Sequence, residues 1–230
     1  MADDQPYYGS WFFRVDRFAD VHMVAAQNKD QSCALASIKM VYFKVKKLHP
    51  GAPSMITERR LEALYKTKAR ESQHDFDQKG SNPKVMVDVL NGMGLGTWAV
   101  EWPPVTGVGG RIAQLVGVDQ FGLGVTGINA LTRNYPVILA CYWKGGGGHA
   151  IVVDTVTKVP AMGTYATICD PWDANVHFER IDSGKPFTYK PKKALGINVW
   201  GKTKADTHGI GGDGTVKGIV YCQKPLGFFG

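Results

Sequence analysis

A cysteine and a distant histidine are the residues of this chain whose types and order suggest covalent chemistry. Cys33 follows the polar stretch 27–32, and His149 follows the glycine run 145–148. A thiol is mostly protonated at neutral pH, so it becomes a strong nucleophile only beside a base or at the positive end of a helix. Glycines let a substrate approach closely, and a histidine at the mouth of a strand is held on a rigid element. The pair therefore predicts a cysteine nucleophile with a histidine base.

The pattern after Cys33 predicts the helix end that such a thiol needs. Apolar residues recur at the three- or four-residue spacing of an amphipathic helix over residues 34–48: Leu35, Ile38, Val41, Val45 and Leu48. Asp30 or Ser32 is suitably placed to cap this helix. Cys33 would then lie where unpaired N–H groups and the helix dipole favour a thiolate, which makes its burial in the core less favourable.

A carboxylate is also needed to orient the histidine. Asp170 ends an apolar strand and precedes Pro171, so its side chain could point toward the start of a neighbouring strand. An aspartate before proline also commonly forms a turn, and Asp154 and Asp173 are alternative orienting residues. His177 is the alternative base. Cys141 and Cys169 lie within apolar strands and are expected in the core.

With Gln27, Cys33, His149 and Asp170 in this order, the chain resembles the papain-like cysteine peptidases. Within that family it is most similar to the bacterial branch that contains double-glycine leader peptidases and papain-like secreted effectors. The resemblance covers roughly residues 20–175. It implies that Gln27 donates to the oxyanion and that Asp170 orients His149. Ala34 departs from the glycine or tryptophan that often follows the cysteine in this family.

The chemistry implied is acyl transfer on a protein substrate, by a cysteine protease that needs no metal and no organic cofactor. Glutamine deamidation and transglutamination use the same residues and stay open as alternatives. A peptidoglycan amidase is a further alternative, although the Asp-Cys-Ser-Gly start typical of that family is absent. A catalytically silent binding module is the alternative of another class.

Composition and net charge restrict the kinds of partner that the protein is expected to bind. The chain has 230 residues, a formal net charge of +7 and no run of 18 apolar residues, so we expect no membrane span. Acidic partners are favoured by this charge. Nucleic acid is an unlikely ligand because no binding fold accompanies the densest basic positions, which fall on two predicted helices. Those positions are Lys44, Lys46, Lys47, Lys66, Lys68 and Arg70.

The cysteines and the N-terminus bear on where the protein works. Four widely spaced cysteines without a Cys-x-x-Cys pair argue against a structural zinc site or a disulfide framework. The acidic start lacks the apolar region of a signal peptide, so synthesis in the cytoplasm is expected. Resemblance to effectors suggests export by a specialised secretion system, with a cognate, acidic immunity protein as inhibitor. Only 32 residues precede Cys33, which predicts no built-in inhibitory segment. A monomer is expected.

The order of elements predicts an α+β fold of papain-like type, in which a helical half carrying the catalytic helix packs on an antiparallel sheet. We expect one domain, 1–230, made of an N-terminal segment 1–26, a mainly helical half 27–135 and a mainly β half 136–230 with a surface excursion at 183–214. Further helices are predicted at Thr57–Arg70, Pro83–Leu90 and Ile128–Asn134, and irregular structure with short strands at 92–124. Strands are predicted at Val137–Trp143, Ala150–Val156, Tyr165–Cys169 and Val216–Tyr221.

Overall fold

A computed structural model of the protein describes residues 11–29, 31–46, 56–118, 135–143, 147–182, 187–189, 197–198 and 214–226. The helices are α1 (Cys33–Lys46), α2 (Glu58–Glu71), α3 (Phe76–Lys79), α4 (Pro83–Gly92) and α5 (Val108–Val116). The strands are β1 (Trp11–Val15), β2 (Val21–Ala25), β3 (Thr97–Glu101), β4 (Val137–Trp143), β5 (Gly148–Val159), β6 (Gly163–Asp170), β7 (Asn175–Arg180), β8 (Thr188–Tyr189), β9 (Ile197–Asn198) and β10 (Gly214–Lys224).

Most of the strands form one large sheet. Its order is β3-β10-β4-β5-β6-β7, with β8 also paired to β10, and every pairing is antiparallel. A smaller antiparallel sheet has the order β2-β1-β9. Helices packed on antiparallel sheet are an α+β architecture, in agreement with the predicted class. Among the described residues, none of the helices has the length and apolarity needed to span a membrane.

The large sheet is covered on both faces, which explains the continuous apolar run of β4. Ile138 packs in a cluster with residues of α1, α2 and α4. Its neighbours Val137 and Leu139 pack in a second cluster with α5. Successive side chains of a strand point to opposite faces, so a sheet with helices on both sides needs apolar residues at every position.

The predicted helices at 57–70 and 83–90 are confirmed, and each begins with a side-chain cap. Thr57 accepts a hydrogen bond from the N–H of Arg60 at 3.3 Å, and Asn82 accepts one from Lys84 at 2.9 Å, with Pro83 as the first helical residue. Each side chain thus satisfies an N–H that the helix itself leaves unpaired.

The predicted cap of α1 is wrong for Ser32. Its hydroxyl accepts hydrogen bonds from the N–H groups of Asn28 and Lys29, at 2.9 and 2.8 Å, and donates to the Lys29 carbonyl. These partners belong to the loop before the helix. Ser32 therefore fixes the conformation of that loop rather than the first turn of α1.

Helix α5 lies in the segment for which irregular structure was predicted. Two adjacent glycines, Gly109 and Gly110, each disfavour a helix by about 1 kcal/mol, which is why the sequence pattern did not indicate it. Packing overrides that preference: a Cβ atom at Gly109 would come within 2.0 Å of the Ile181 carbonyl oxygen. The glycine is what lets α5 approach the sheet, where Val108 and Ile112 are fully buried.

Other differences concern the two ends of the chain. The hairpin β1–β2 was not predicted, and its Phe12 is buried in the core. Strand β7 was also missed. The predicted surface excursion at 183–214 is wrong where it is described, because Phe187 and Tyr189 are buried. The predicted helix at 128–134 lies outside the described residues.

Candidate active site

Three element ends meet at the candidate site. Cys33 is the first residue of α1, His149 is the second residue of β5, and Asp170 is the last residue of β6. Strands β5 and β6 are antiparallel neighbours, with Val152 opposite Cys169. The start of β5 therefore lies beside the end of β6, which brings His149 next to Asp170.

The three side chains form a hydrogen-bonded series. His149 Nε2 lies 2.8 Å from Asp170 Oδ1, and the thiol of Cys33 hydrogen-bonds the same imidazole. All three residues are buried, Cys33 with 5% of its surface exposed. The expectation that the helix start would keep Cys33 out of the core is wrong, although Cys33 and His149 do line a surface cleft.

The electrostatics of the series favour an ion pair. Burial raises the pKa of the Cys33 thiol, but the hydrogen bond and charge of His149 outweigh it, so that the pKa is lowered overall. Burial lowers the pKa of His149, but the charge and hydrogen bond of Asp170 raise it to about 10. Both shifts favour a thiolate beside an imidazolium over the neutral pair.

Asp170 is held by further donors. The N–H of Trp172 donates to Oδ1 at 2.9 Å, so the turn role of an aspartate before proline coexists with its contact to His149. The hydroxyl of Tyr189, which is fully buried, donates to Oδ2. Sequence reasoning missed Tyr189 because it lies in the segment predicted to be a surface excursion. Its isolated position beside β10 carries no motif that could have identified it.

Ser37 is a second residue that the sequence did not single out. It lies one turn after Cys33 and is fully buried, and its hydroxyl donates to the carbonyl of Ala150 at 3.1 Å. Ala150 directly follows His149. This bond ties the helix that carries the cysteine to the strand that carries the histidine.

Gln27 is buried on the loop before α1. Its backbone N–H donates to the Pro171 carbonyl at 2.9 Å, which anchors the loop next to the Asp170 turn. Its side-chain amide donates to the Lys29 carbonyl at 2.9 Å. The role of Gln27 as an oxyanion donor stays a prediction.

The alternative residues have other partners. Asp154 lies 2.6 Å from His22 and 2.5 Å from Lys44, which is in the last turn of α1 whereas Cys33 begins that helix. His177 pairs with Asp173 at 2.8 Å. These contacts leave Asp170 as the carboxylate that binds His149.

Two of the remaining cysteines lie in the core, as predicted. Cys141 and Cys169 are buried, and burial raises the pKa of both thiols. Cys222 is half-buried, and burial raises its pKa to about 11. Among the four thiols, that of Cys33 alone has a lowered pKa.

Among the described residues, two groups of side chains bring possible metal ligands within 4.8 Å of one another. In the group of His22, Asp154 and Cys169, the carboxylate already pairs with Lys44, so a cation would have to displace that lysine. The group of Asp170, Asp173 and His177 shares the carboxylate that binds His149. The expected absence of a metal and a cofactor stays a prediction.

The cleft above the cysteine has a cavity volume of about 660 Å³. Its walls come from the start of α1, the segment from His74 to Met86, residue Trp102, and the facing ends of β4 and β5. A cavity of this size accommodates several residues of an extended chain.

No model of a known protein family matches the chain, and no curated protein matches it.

Proposed function

We propose that the chain is a cysteine peptidase with a papain-like fold that cleaves a protein substrate by acyl transfer. The observation that carries the proposal is the buried series Cys33–His149–Asp170 at the floor of a large cleft. A thiolate beside an imidazolium is the activated form of a cysteine nucleophile. Placing it at a cleft accessible to substrate is what acyl transfer requires.

In the proposed mechanism, the Cys33 thiolate attacks the carbonyl carbon of the scissile bond and forms a tetrahedral intermediate. His149 gives its proton to the leaving amine as the C–N bond breaks, which leaves a thioester on Cys33. Water then attacks the thioester while His149 takes its proton. The products are a carboxylic acid, an amine and the restored thiolate–imidazolium pair.

The negative oxygen of the intermediate needs hydrogen-bond donors. The N–H of Cys33, at the first position of α1, is one candidate because the helix leaves it without an internal acceptor. The side-chain amide of Gln27 is the other. The buried position of Gln27, fixed through Pro171 and Lys29, supports this role because a fixed donor needs no reorganisation during the reaction.

The thiol chemistry is tested by alkylation. Folded protein treated with a small amount of iodoacetamide at neutral pH should be modified first at Cys33, since the pKa values of the other three thiols are raised. His149→Ala should abolish this selectivity. Equal modification of all four thiols in the folded wild type would contradict the assignment.

The type of reaction is tested on a protein extract treated with wild type or Cys33→Ala. Peptide hydrolysis creates new N-termini that depend on Cys33, and N-terminal labelling with mass spectrometry detects them. Deamidation would instead convert glutamine to glutamate without a cut, and transglutamination would join an amine to it. Either result would keep the site and replace the peptidase assignment.

We further propose that the protein is an effector that is delivered into another cell and held inactive in its producer by an acidic immunity protein. The positive net charge of +7 supports fast association with an acidic inhibitor. Expression of wild type and Cys33→Ala in a bacterial cytosol, without neighbouring genes, tests the toxic role. Wild type should stop growth and the variant should not, whereas equal growth would count against toxicity.

A further inference from the structure

The formally charged side chains among the described residues that line the cleft are all positive. Two lysines line it, Lys79 at the end of α3 and Lys84 in the first turn of α4. Both side chains are exposed, and neither has an ion-pair partner among the described residues. No aspartate or glutamate is found among the described residues that line this cleft.

Two lysines of α2 have ion-pair partners. Lys66 pairs with Glu62 and Asp77, at 3.2 and 2.9 Å, and Lys68 pairs with Glu71 at 2.8 Å. The basic positions that stand out in the sequence therefore include charges that are already compensated. In the cleft, by contrast, two ammonium groups face the solvent without a counter-charge.

The N-terminus of α4 adds to this positive potential. The helix has ten residues and opens into the cleft through Asn82, Pro83 and Lys84. The partial positive charge of a helix N-terminus favours anions in its first turn. It acts here together with the side-chain charges of Lys79 and Lys84.

Aromatic side chains also line the cleft. Trp102 and Tyr142 are 51% and 37% exposed although both are large and apolar. Trp102 is seated against Gly218, where a Cβ would lie 2.9 Å from its ring. Lys217 lies 5.5 Å above the ring of Tyr142 and adds a further positive charge at the rim. The cleft thus combines apolar contact area with cationic groups.

From this combination we propose that the cleft selects an acidic segment of its substrate, with aspartate or glutamate side chains on Lys79 and Lys84 and an apolar side chain against Trp102 and Tyr142. The inference rests on the proposed function, because it assigns a substrate class to the same site. Charge complementarity across a cleft steers a ligand and sets its register, and it rejects basic segments by repulsion.

Binding to Cys33→Ala tests the proposal without any need for cleavage. Two pools of fluorescent peptides of equal length are compared by fluorescence anisotropy. Both pools contain mixed apolar residues. At the remaining positions one pool carries Asp or Glu and the other carries Lys or Arg. We expect the acidic pool to bind about tenfold more tightly at low salt, as a few exposed ion pairs would give. Added salt should reduce the difference.

Charge reversal locates the effect. Lys79→Glu/Lys84→Glu should invert the preference, and Lys79→Gln/Lys84→Gln should abolish it. The matched control is Lys158→Glu, which makes a similar change on β5 ten residues from Gly148, about 33 Å along the strand. This control should keep the preference of the parent protein.

The outcomes separate the two proposals. Equal binding of the pools, no measurable binding of the acidic pool, or a preference that survives the Lys79→Glu/Lys84→Glu change would overturn the acidic-substrate inference. A Lys158→Glu variant that loses the preference to the same extent would also overturn it. Acidic peptides that bind but are never cut by the wild type would instead count against the peptidase.

Discussion

At the level of single residues, the protonation state of the candidate site depends on Asp170. Its buried carboxylate accepts hydrogen bonds from His149, the N–H of Trp172 and the hydroxyl of Tyr189. The negative charge raises the pKa of His149 to about 10, against the effect of burial. The charged imidazole in turn lowers the pKa of Cys33. One carboxylate therefore acts on the thiol through the ring between them.

Asp170→Asn should shift the reactivity of Cys33 toward higher pH. Without the carboxylate charge, burial lowers the pKa of His149, and a neutral imidazole no longer stabilises the thiolate. The rate of Cys33 alkylation, measured from pH 5 to pH 10, should be high at neutral pH in wild type. In the variant it should rise only above the ordinary pKa of a thiol, about 8.5, because burial raises the pKa of Cys33.

Asp173→Asn is the matched control for that change. Asp173 is the neighbouring carboxylate, but it pairs with His177 rather than with His149. Its variant should keep the alkylation profile of the wild type. Identical profiles for wild type and Asp170→Asn would refute the role of Asp170.

Tyr189→Phe should destabilise the protein by about 2 kcal/mol, the usual value for a hydrogen bond to a charged group. The substitution leaves the ring in the core and removes only the hydroxyl that donates to Asp170. Urea denaturation measures the free energy of unfolding. Tyr165→Phe, which removes a hydroxyl bonded to the Met162 carbonyl at 3.2 Å near the surface, should change it little. Equal losses for the two variants would be the contrary result.

At the level of elements, the site depends on how α1 is fixed to β5. Neither element can place Cys33 against His149 alone, since one is a helix end and the other a strand start. The bond from Ser37 to the Ala150 carbonyl fixes their relative position near both residues. Fully buried Leu35 and Ile38 of α1 supply the apolar contact around it.

Ser37→Ala should lower the free energy of unfolding by about 1 kcal/mol, the net value of one neutral hydrogen bond. Thr67→Ala is a suitable control because its hydroxyl bonds the Ala63 carbonyl on the exposed side of α2. Alanine favours a helix, so that control should lose little or nothing. Chemical denaturation of the two variants measures both free energies of unfolding. A larger loss for Ser37→Ala than for Thr67→Ala is expected, because the Ser37 bond is buried and joins two elements.

At the level of the whole molecule, a second charged cluster joins the N-terminal hairpin to the body. His22 lies between two carboxylates, 2.6 Å from Asp154 and 3.1 Å from Asp16, and Lys44 of α1 completes the cluster on Asp154. Burial lowers the pKa of His22, but its bonds to the two carboxylates outweigh burial and raise it well above the usual value. For Asp154, burial raises the pKa, but Lys44 and His22 outweigh burial and lower the pKa overall.

His22→Gln should cost about 3 kcal/mol of stability in mildly acidic solution, as expected when one partner of a buried ion pair is removed. A histidine with a raised pKa stabilises the fold fully below its unfolded pKa of about 6.5, and this contribution is lost as pH rises through the folded value. The difference between wild type and variant should therefore shrink above pH 6.5. Urea denaturation at several pH values measures it, and a difference independent of pH would contradict the charged form.

The sequence by itself determined the ends of the elements that carry the candidate site. The apolar spacing after Cys33 and the apolar run that ends at Asp170 both concern neighbours in the chain. Helix and strand patterns are local, so these boundaries could be predicted to within a few residues. Cys33, His149 and Asp170 could be identified from the sequence for the same reason, since each lies at such a boundary.

Only the tertiary structure decided which side chains meet. Tyr189 reaches Asp170, and Ser37 reaches Ala150 across 113 residues of sequence, because sheet pairing and helix packing bring them together. The same packing places Gly109 and Gly110 in helix α5, and it leaves Lys79 and Lys84 without an ion-pair partner among the described residues. Contacts between distant residues depend on the sum of many weak interactions over the whole core, and no local pattern encodes that sum.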